Sequence, residues 1–383
     1  MKALIGGSPC TRWSIAQTKN RETEASGIGW EIFLNYRIAR DKYQPDYFLY
    51  ENNKSMSPAI RAQITAELGV EPVLINSALV SAQNRQRLYW VGKREPDGTY
   101  SQVAVEQPED RGILLRDILE TSTSKKGYAL DPTHAEVLNM NPSGHGMNGA
   151  VIHCDGKSRT LTTNKGEGPK IITPIRIGTI ENDAKNPDHD SQQYRVYSPD
   201  GKSVTLCGNG GGLGAKTGLY ATPVGGPDGK AWPVYEVRDG FITIKGKRYP
   251  IKLRDGFYII RKLTVRECMR LQTVPEEYVF PVSNSQAYKM LGNGWTVDVI
   301  AHIMSHFEGL TKEPVEVLSM YDGMSCGHIA LDNLGVQPWL LRYYATEIDK
   351  YAIQTTQHNY PETIQLGDAF QVRNDDWRLG EEL

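Results

Sequence analysis

The chain opens on Met1-Lys-Ala-Leu-Ile-Gly-Gly-Ser-Pro-Cys10, and this stretch restricts the folds open to it. Ala3-Leu4-Ile5 is an uninterrupted apolar run, which reads as a strand buried on both faces in a parallel sheet. Gly6 and Gly7 permit the sharp turn where such a strand ends, and Pro9 fixes φ just before Cys10. A thiol on a rigid turn at the carboxyl end of a parallel strand is where an α/β protein carries a nucleophile. A buried structural cysteine is the alternative.

Residues 2–100 continue this alternation of strand and helix. Trp30, Phe33, Leu34, Arg37 and Ile38 mark an amphipathic helix. Asp46–Tyr50 reads as a second strand, ending in Glu51-Asn52-Asn53. Ser57 and Pro58 start a helix that Gly69 stops. Val73–Val80 and Leu88–Gly92 read as further strands, and between them lies Gln83-Asn84-Arg85-Gln86-Arg87. The polar stretch Thr11–Ser26 has no apolar periodicity and follows Cys10 directly, as a lid over a site would.

The middle of the chain differs in kind. Residues 101–262 are dense in Gly, Pro, Asn and Asp, with short candidate strands. Asp155-Gly-Lys-Ser and Asp200-Gly-Lys-Ser echo one another, as do Arg238-Asp-Gly-Phe241 and Arg254-Asp-Gly-Phe257, which read as hairpin signals. The whole chain has a formal charge of −2, yet residues 151–262 carry 18 Lys and Arg against 11 Asp and Glu. A basic module in an acidic body is a field that attracts phosphate. Gly208–Gly218 is rich in glycine but has Ala215 before Lys216, so it is not a P-loop.

Helical signals return at 263–309. Thr264 and Glu267 form a capping box ahead of Arg266–Gln272, and Gly292-Asn293-Gly294-Trp295 precedes a helix from Val297 to Phe307. His302 and His306 have metal-ligand spacing but lack a third ligand, so they read as helix surface. The last stretch is a second βαβ unit. Strand Val315–Met320 leads into the turn Tyr321-Asp-Gly-Met-Ser-Cys-Gly327. Leu340–Thr346 ends in Glu347, and Ile364–Leu366 ends in Gly367-Asp368. A carboxylate about 20 residues beyond a glycine turn suits the ribose of an adenosine-containing cofactor.

Five cysteines without a C-x-x-C pair argue against a disulfide framework and a zinc site. No apolar run approaches the ~20 residues of a membrane span and no leader-like segment precedes the first strand. The expectation is a cytoplasmic protein with no metal and no membrane partner.

Together these stretches resemble the DNA (cytosine-5) methyltransferases, nearest to phage-type and de novo-type enzymes. Gly7-Ser-Pro-Cys10 looks like the catalytic Pro-Cys, Glu51-Asn52-Asn53 like Glu-Asn-Val, and Gln83-x-Arg85-x-Arg87 like Gln-x-Arg-x-Arg. Arg266–Gln272 resembles the motif closing the target-recognition region, and Gly292-Asn293 the final Gly-Asn motif. Asp322-Gly323 through Gly327, Glu347 and Asp368 resemble the three S-adenosylmethionine motifs. The order departs from the family: the cofactor motifs close the chain instead of opening it, so the sequence looks circularly permuted. Thr11 also stands where Gln is frequent, and Asn53 where Val is.

The resemblance implies an S-adenosylmethionine-dependent α/β fold, a Rossmann-like, mostly parallel sheet with helices on both faces, plus a smaller β-rich target-recognition domain. The expected division is 1–100 (nucleophile, Glu-Asn and Gln-x-Arg-x-Arg motifs), 101–291 (target recognition) and 292–383 (Gly-Asn helix and cofactor half). The resemblance implies Cys10, Glu51, Arg85 and Arg87 as catalytic residues. It assigns S-adenosyl-L-methionine to Tyr321, Asp322, Gly323, Gly327, Glu347, Ile348 and Asp368, with Pro9, Asn293 and Trp295 closing the pocket; Tyr321 reads equally as a core aromatic. Double-stranded DNA would meet Arg12, Ser14 and Gln83, and Lys157, Arg159 and Lys165 in the basic module. The implied reaction is methyl transfer to C5 of a flipped cytosine, in a monomer, with a restriction endonuclease partner left open. The same chemistry on RNA, or a catalytically quiet DNA-binding relative, are the alternatives.

Overall fold

The computed structural model describes residues 1–9, 12–13, 21–118, 136–139, 150–152, 176–179, 195–197, 203, 219–223, 234–244, 246–250, 255–261 and 264–379. Cys10, Ser14, Lys157, Arg159 and Lys165 lie outside the described residues, as do Gly208–Gly218. In chain order the strands are β1 Lys2–Gly6, β2 Tyr47–Asn53, β3 Pro72–Asn76, β4 Gln86–Arg94, β5 Tyr100–Gln102, β6 Glu136–Asn139, β7 Ala150–Ile152, β8 Arg176–Thr179, β9 Arg195–Tyr197, β10 Leu219–Pro223, β11 Val234–Arg238, β12 Phe241–Ile244, β13 Lys247–Pro250, β14 Gly256–Arg261, β15 Val315–Met320, β16 Leu341–Thr346 and β17 Ile364–Gly367. The α-helices are α1 Gly27–Tyr43, α2 Pro58–Leu68, α3 Leu115–Ile118, α4 Val265–Leu271, α5 Asn284–Asn293, α6 Val297–Met304, α7 Cys326–Asn333 and α8 Lys350–Asn359.

Two compact units emerge. The first comprises 1–81, 85–111 and 269–383, and the second 82–84 and 112–268. Residues 269–291, which the sequence reading groups with target recognition, belong to the first unit. There the Gln272 side chain donates to the Leu291 carbonyl (2.5 Å) and Val297 N–H to the Gln272 carbonyl (2.9 Å).

The first unit is built on one sheet in the order β17-β16-β15-β1-β2-β4-β3, with β5 on β4. β17, β16, β15, β1 and β2 run parallel; β4 is antiparallel to its neighbours. The apolar run that opens the chain is central: Ala3, Leu4 and Ile5 are buried, and β1 pairs with β15 from Lys2↔Glu316 to Gly6↔Met320. The Met1 ammonium donates to the Pro314 carbonyl at 2.8 Å, so the strand is held from its first residue.

This register aligns the chemistry. Gly6 is level with both Met320 and Tyr50, and Met320 with Thr346. The parallel strands therefore end together, and Gly7–Pro9, Glu51–Asn53, Tyr321–Gly323, Glu347 and Asp368 all emerge at one end of the sheet. Because β4 is antiparallel, its first residues arrive at that same end, with Arg87 level with Asn53. The connections from β15 and from β1 lead in opposite directions across the sheet, and such a switch point at the carboxyl ends is where an open α/β sheet receives a ligand.

Local details follow the sequence with informative differences. Ser57 caps α2 through the Ile60 amide, with Pro58 at its first turn. Thr264 and Glu267 exchange side chain-to-backbone bonds at 2.8 and 3.1 Å, a complete capping box. The buried stripe of α1 is Trp30, Phe33, Tyr36, Ala39, Arg40 and Tyr43, rotated from the expected one, while Leu34 and Ile38 are half-buried. Arg40 is recruited inward because its guanidinium takes the Leu68 and Glu67 carbonyls at the end of α2 (3.0 and 3.1 Å). The expected strand Val73–Val80 stops at Asn76, whose side chain caps a 3-10 turn at Ser77–Leu79.

The second unit carries a sheet in the order β13-β12-β11-β14-β10-β9-β8, and β6 pairs with β7. Asp239 (φ 52°) and Gly240 (φ 74°) make the tight turn from β11 to β12, as the Asp-Gly signal predicts. Asp255-Gly256 does not form a hairpin: it opens β14, which pairs with β11 and β10.

Candidate active site

The turn after β1 is held by side chains of β2. Asn52 donates to the Ser8 carbonyl (3.2 Å), to Ser8 Oγ (3.3 Å) and to the Tyr50 hydroxyl (3.1 Å), and Ser8 Oγ and the Tyr50 hydroxyl lie 2.5 Å apart. All three residues are buried. Buried polar groups that satisfy one another fix geometry, so the residues preceding Cys10 are rigid up to the exposed Pro9.

Glu51 lies beneath that turn, 8% exposed. Arg87 Nε is 3.1 Å from Glu51 Oε1, and Trp295 Nε1 donates to Oε2 at 3.1 Å. Gly7 makes the arrangement possible: a Cβ there would stand 2.8 Å from Glu51 Oε2 and 2.9 Å from the Glu51 carbonyl oxygen.

Arg85, 3% exposed, points the other way. Its guanidinium donates to the Gly292 (3.4 Å) and Gly294 (2.9 Å) carbonyls. Gln272 adds a bond to Gly294 O at 3.2 Å, and Thr296 Oγ1 donates to Gln272 Oε1 at 2.9 Å. Arg85 thus braces the turn that carries Trp295. Gln83 belongs to the second unit, where Ser203 bridges to it; it is fully buried and its amide has no hydrogen-bond partner.

The described residues of the polar stretch after Cys10 are tied to one another and to α1 and its neighbours. Glu22 N–H donates to the Arg12 carbonyl at 2.8 Å. The Glu22 carboxylate takes the Trp13 indole N–H (3.2 Å) and the Gly29 amide (3.1 Å), and Arg21 donates to the Ser55 carbonyl (2.8 Å). Trp13 is 1% exposed, an anchor that the sequence reading missed because a lone aromatic in a polar stretch has no periodicity. Arg12 is half-buried.

At the ends of β15 and β16, the backbone takes positive φ at Tyr321 (61°), Gly323 (61°) and Ser325 (58°). The Tyr321 and Asp322 amides donate to Thr346 Oγ1 and to the Thr346 carbonyl, each at 3.1 Å, which ties this turn to the end of β16. Gly323 N–H donates to Glu347 Oε2 at 2.9 Å, and nothing lies within 4 Å of a Cβ built on Gly323. The open space above Gly323, the Glu347 carboxylate, and the exposed Ile348, Asp368 and Phe370 lie at the same end of the sheet. This donor and acceptor set fits an adenosine moiety. Asp368 also caps the following turn through the Phe370 amide (2.9 Å).

Three residues assigned to the cofactor do other work here. Asp322 turns beneath the turn to accept from Ser325 Oγ and from the Tyr343 hydroxyl (2.8 Å), and burial pushes its carboxyl up to about 6. Gly327 serves packing, since a Cβ there would come 2.3 Å from Ile5 Cδ1 and 2.7 Å from the Tyr343 hydroxyl. The Tyr321 hydroxyl donates to the Ile32 carbonyl at 2.7 Å and its ring packs on the core cluster, which fits the core-aromatic alternative. Asn293 is exposed at the end of α5.

Two negative expectations concern metals and membranes. Among the described residues no cluster of His, Cys, Asp and Glu could hold a metal, and no helix is long and apolar enough to cross a membrane. His302 Nε2 lies 2.7 Å from the Glu106 carbonyl oxygen and His306 Nδ1 2.9 Å from that of His302. Cys326 is buried, and burial pushes its thiol up to about 12.

Comparison with known proteins decides the family. The model for the C-5 cytosine-specific DNA methylases matches residues 1–308. The chain belongs to that family. The methylase is 52% identical over 319 residues to the type II methyltransferase M1.ScrFI of Lactococcus lactis subsp. cremoris, covering 78% of this chain and 59% of that one. It is 32% identical over 310 residues to the type II methyltransferase M.HhaI of Haemophilus parahaemolyticus, covering 78% and 73%. To the orphan methyltransferase M.SPRI of Bacillus phage SPR it is 27% identical over 372 residues, covering 78% and 81%. The methylase is an α/β DNA cytosine methyltransferase, with β15–β17 beyond the matched residues.

Proposed function

We propose that this methylase transfers a methyl group from S-adenosyl-L-methionine to C5 of a cytosine flipped out of duplex DNA, through a covalent bond between Cys10 and C6. The observation that carries the reading is the Glu51 carboxylate, buried under the turn that leads to Cys10 and held by Arg87 and Trp295.

Cytosine C5 is a weak nucleophile, and C6 addition makes it an enamine carbon. The Cys10 thiolate adds to C6, and the electron pair of the C5–C6 double bond moves through the ring towards N3. Glu51 hydrogen-bonds or protonates N3 as this charge develops. Arg87 keeps Glu51 oriented and would hold O2, the carbonyl oxygen on C2. S-adenosyl-L-methionine, when bound, would supply the methyl group that C5 takes up. A water or hydroxide removes the C5 proton, the C5–C6 double bond reforms as Cys10 departs as thiolate, and any proton taken by N3 returns to Glu51. A stacked C5 is out of reach of this buried cluster, so the base must leave the duplex.

Glu347 and Asp368 would hold the ribose hydroxyls and adenine amine, with Ile348 against the ring. The basic stretch of residues 151–262 would meet the phosphates and bases. The chain is read as circularly permuted: the family match stops at residue 308, while β15–β17 complete the sheet beside β1. The setting is the cytoplasm of a bacterial or phage-infected cell, and the working unit a monomer.

Nucleoside mass spectrometry of duplex DNA incubated with enzyme and S-adenosylmethionine, beside Cys10→Ala, tests this. 5-Methylcytosine made by the native enzyme and absent with Cys10→Ala is the expected result. Unmodified cytosine with intact DNA and cofactor binding would overturn it, and RNA would then be the acceptor to test.

A further inference from the structure

We propose that Trp295 is a positioning residue for the Glu51 carboxylate, an inference that rests on the role proposed for Glu51. The resemblance assigns Trp295 to the cofactor pocket. Its indole N–H is instead directed at Glu51 Oε2, at 3.1 Å, on the oxygen that Arg87 leaves unclaimed.

The surroundings of Trp295 fix it in that direction. The Gly294 carbonyl before it is held by Arg85 at 2.9 Å and Gln272 at 3.2 Å. The Gly294 N–H closes α5 on the Met290 carbonyl at 2.7 Å. Thr296 behind it is buried and bonded to Gln272 and to Ser77 (2.8 Å). Cys326, the first residue of α7 after the Tyr321–Ser325 turn, lies against Gly294 on the other side. Gly294 permits that approach, since a Cβ there would lie 3.1 Å from Cys326 Sγ. On the far side, a Cβ on Gly7 would lie 2.8 Å from Glu51 Oε2 and 3.4 Å from Trp295 Nε1. Two glycines thus clear the space that the indole and carboxylate share.

A neutral donor suits a group that must exchange a proton. A second cation on Oε2 would hold Glu51 ionised. An indole N–H bonds to Oε2 whether the carboxyl is ionised or protonated on its other oxygen, and so sets orientation in both states. Orientation set before reaction accelerates the chemical step without tightening ground-state binding.

The test is full-length enzyme with 3-benzothienylalanine at position 295, which keeps the bicyclic shape and lacks the N–H, beside Trp295→Phe. Steady-state methylation is measured against both substrates. The expected result is a fall in kcat of about tenfold or more, with KM for S-adenosylmethionine and DNA within about twofold of native and an unchanged Tm. An unchanged kcat in the benzothienyl variant would overturn the proposal. So would a raised KM for S-adenosylmethionine with native kcat, which returns the indole to the cofactor pocket. A native enzyme that transfers no methyl group overturns the functional reading and this inference with it; the variant comparison is made only on an active native enzyme.

Discussion

The Gly323 amide nitrogen stands 2.9 Å from Glu347 Oε2, joining the turn after β15 to the end of β16. The other oxygen, Oε1, accepts from the Ile348 and Asp349 amides at 2.7 and 2.8 Å. Backbone amides therefore aim the carboxylate before any ligand arrives. Glu347→Gln should weaken S-adenosylhomocysteine binding by about tenfold or more, since a hydrogen bond to a charged group is worth roughly 1.5–3 kcal/mol. Duplex DNA binding should be unchanged. Calorimetric titration of both ligands checks this; equal cofactor affinity in the variant would remove Glu347 from the site.

Gly7→Ala should abolish methyl transfer while leaving a folded protein. The added methyl meets a carboxylate oxygen and a backbone carbonyl within 3 Å, so Glu51 or the turn must shift. Overpacking of this kind costs about 1–3 kcal/mol, which a core of this size survives. The check is a circular dichroism melt beside the methylation assay. Native activity in Gly7→Ala would show that the Glu51 position tolerates displacement.

Arg85→Met should lower both stability and turnover. It strips the Gly292 and Gly294 carbonyls of a charged donor in a buried position. The expected loss is roughly 2–3 kcal/mol in urea unfolding, with kcat falling because the Trp295 turn loosens. Arg85→Lys should recover only part of it, as one ammonium cannot span both carbonyls in a planar fork.

Acid sensitivity should trace to His328. Its ring stacks on Tyr360 (centroids 3.7 Å apart) and on Tyr343 (4.7 Å), and burial pushes it down to about 4 from an ordinary 6.5. Below pH 6.5 the unfolded chain takes up a proton that the folded chain refuses. Stability is therefore lost as pH falls from 6.5 towards 4, by roughly 3 kcal/mol at the limit. Asp322 works in the opposite sense. Its carboxyl, pushed up to about 6 from 3.8, favours the folded state at low pH, and that contribution fades as pH rises from about 4 to 6. His328→Phe should remove the first slope and so gain stability relative to native as pH falls from 6.5 to 4.5. Urea unfolding at the two pH values decides; an unchanged difference between variant and native would exclude His328 as the source.

How much of this was legible in the chain depends on range. Strand β1, the Ser57-Pro58 start of α2, the Thr264–Glu267 capping box and the Asp239-Gly240 turn are local events, set by backbone freedom and side-chain reach within a few residues, and each appears where its residues signal it. The family was legible for the same reason, because its motifs are short and dense in chemistry. The α1 stripe was misread by about one helical step, since Arg40 is drawn inward by carbonyls of α2 that periodicity cannot sense.

By itself, then, the sequence determined which residues stand at or just beyond the carboxyl ends of the strands: Gly6 and Gly7, Glu51 to Asn53, Asp322 and Gly323, Glu347, Asp368. Only the tertiary structure decided which of them meet. The parallel register of β1 with β15 and β2 brings those ends to one level across more than 300 residues of chain separation. It also sends Trp295 to Glu51, Arg85 to the Gly294 carbonyl and Asp322 beneath its own turn. The physical reason is that a hydrogen-bond partner for a buried group is chosen by what the packed sheet places within 3 Å of it. No spacing along the chain encodes that choice.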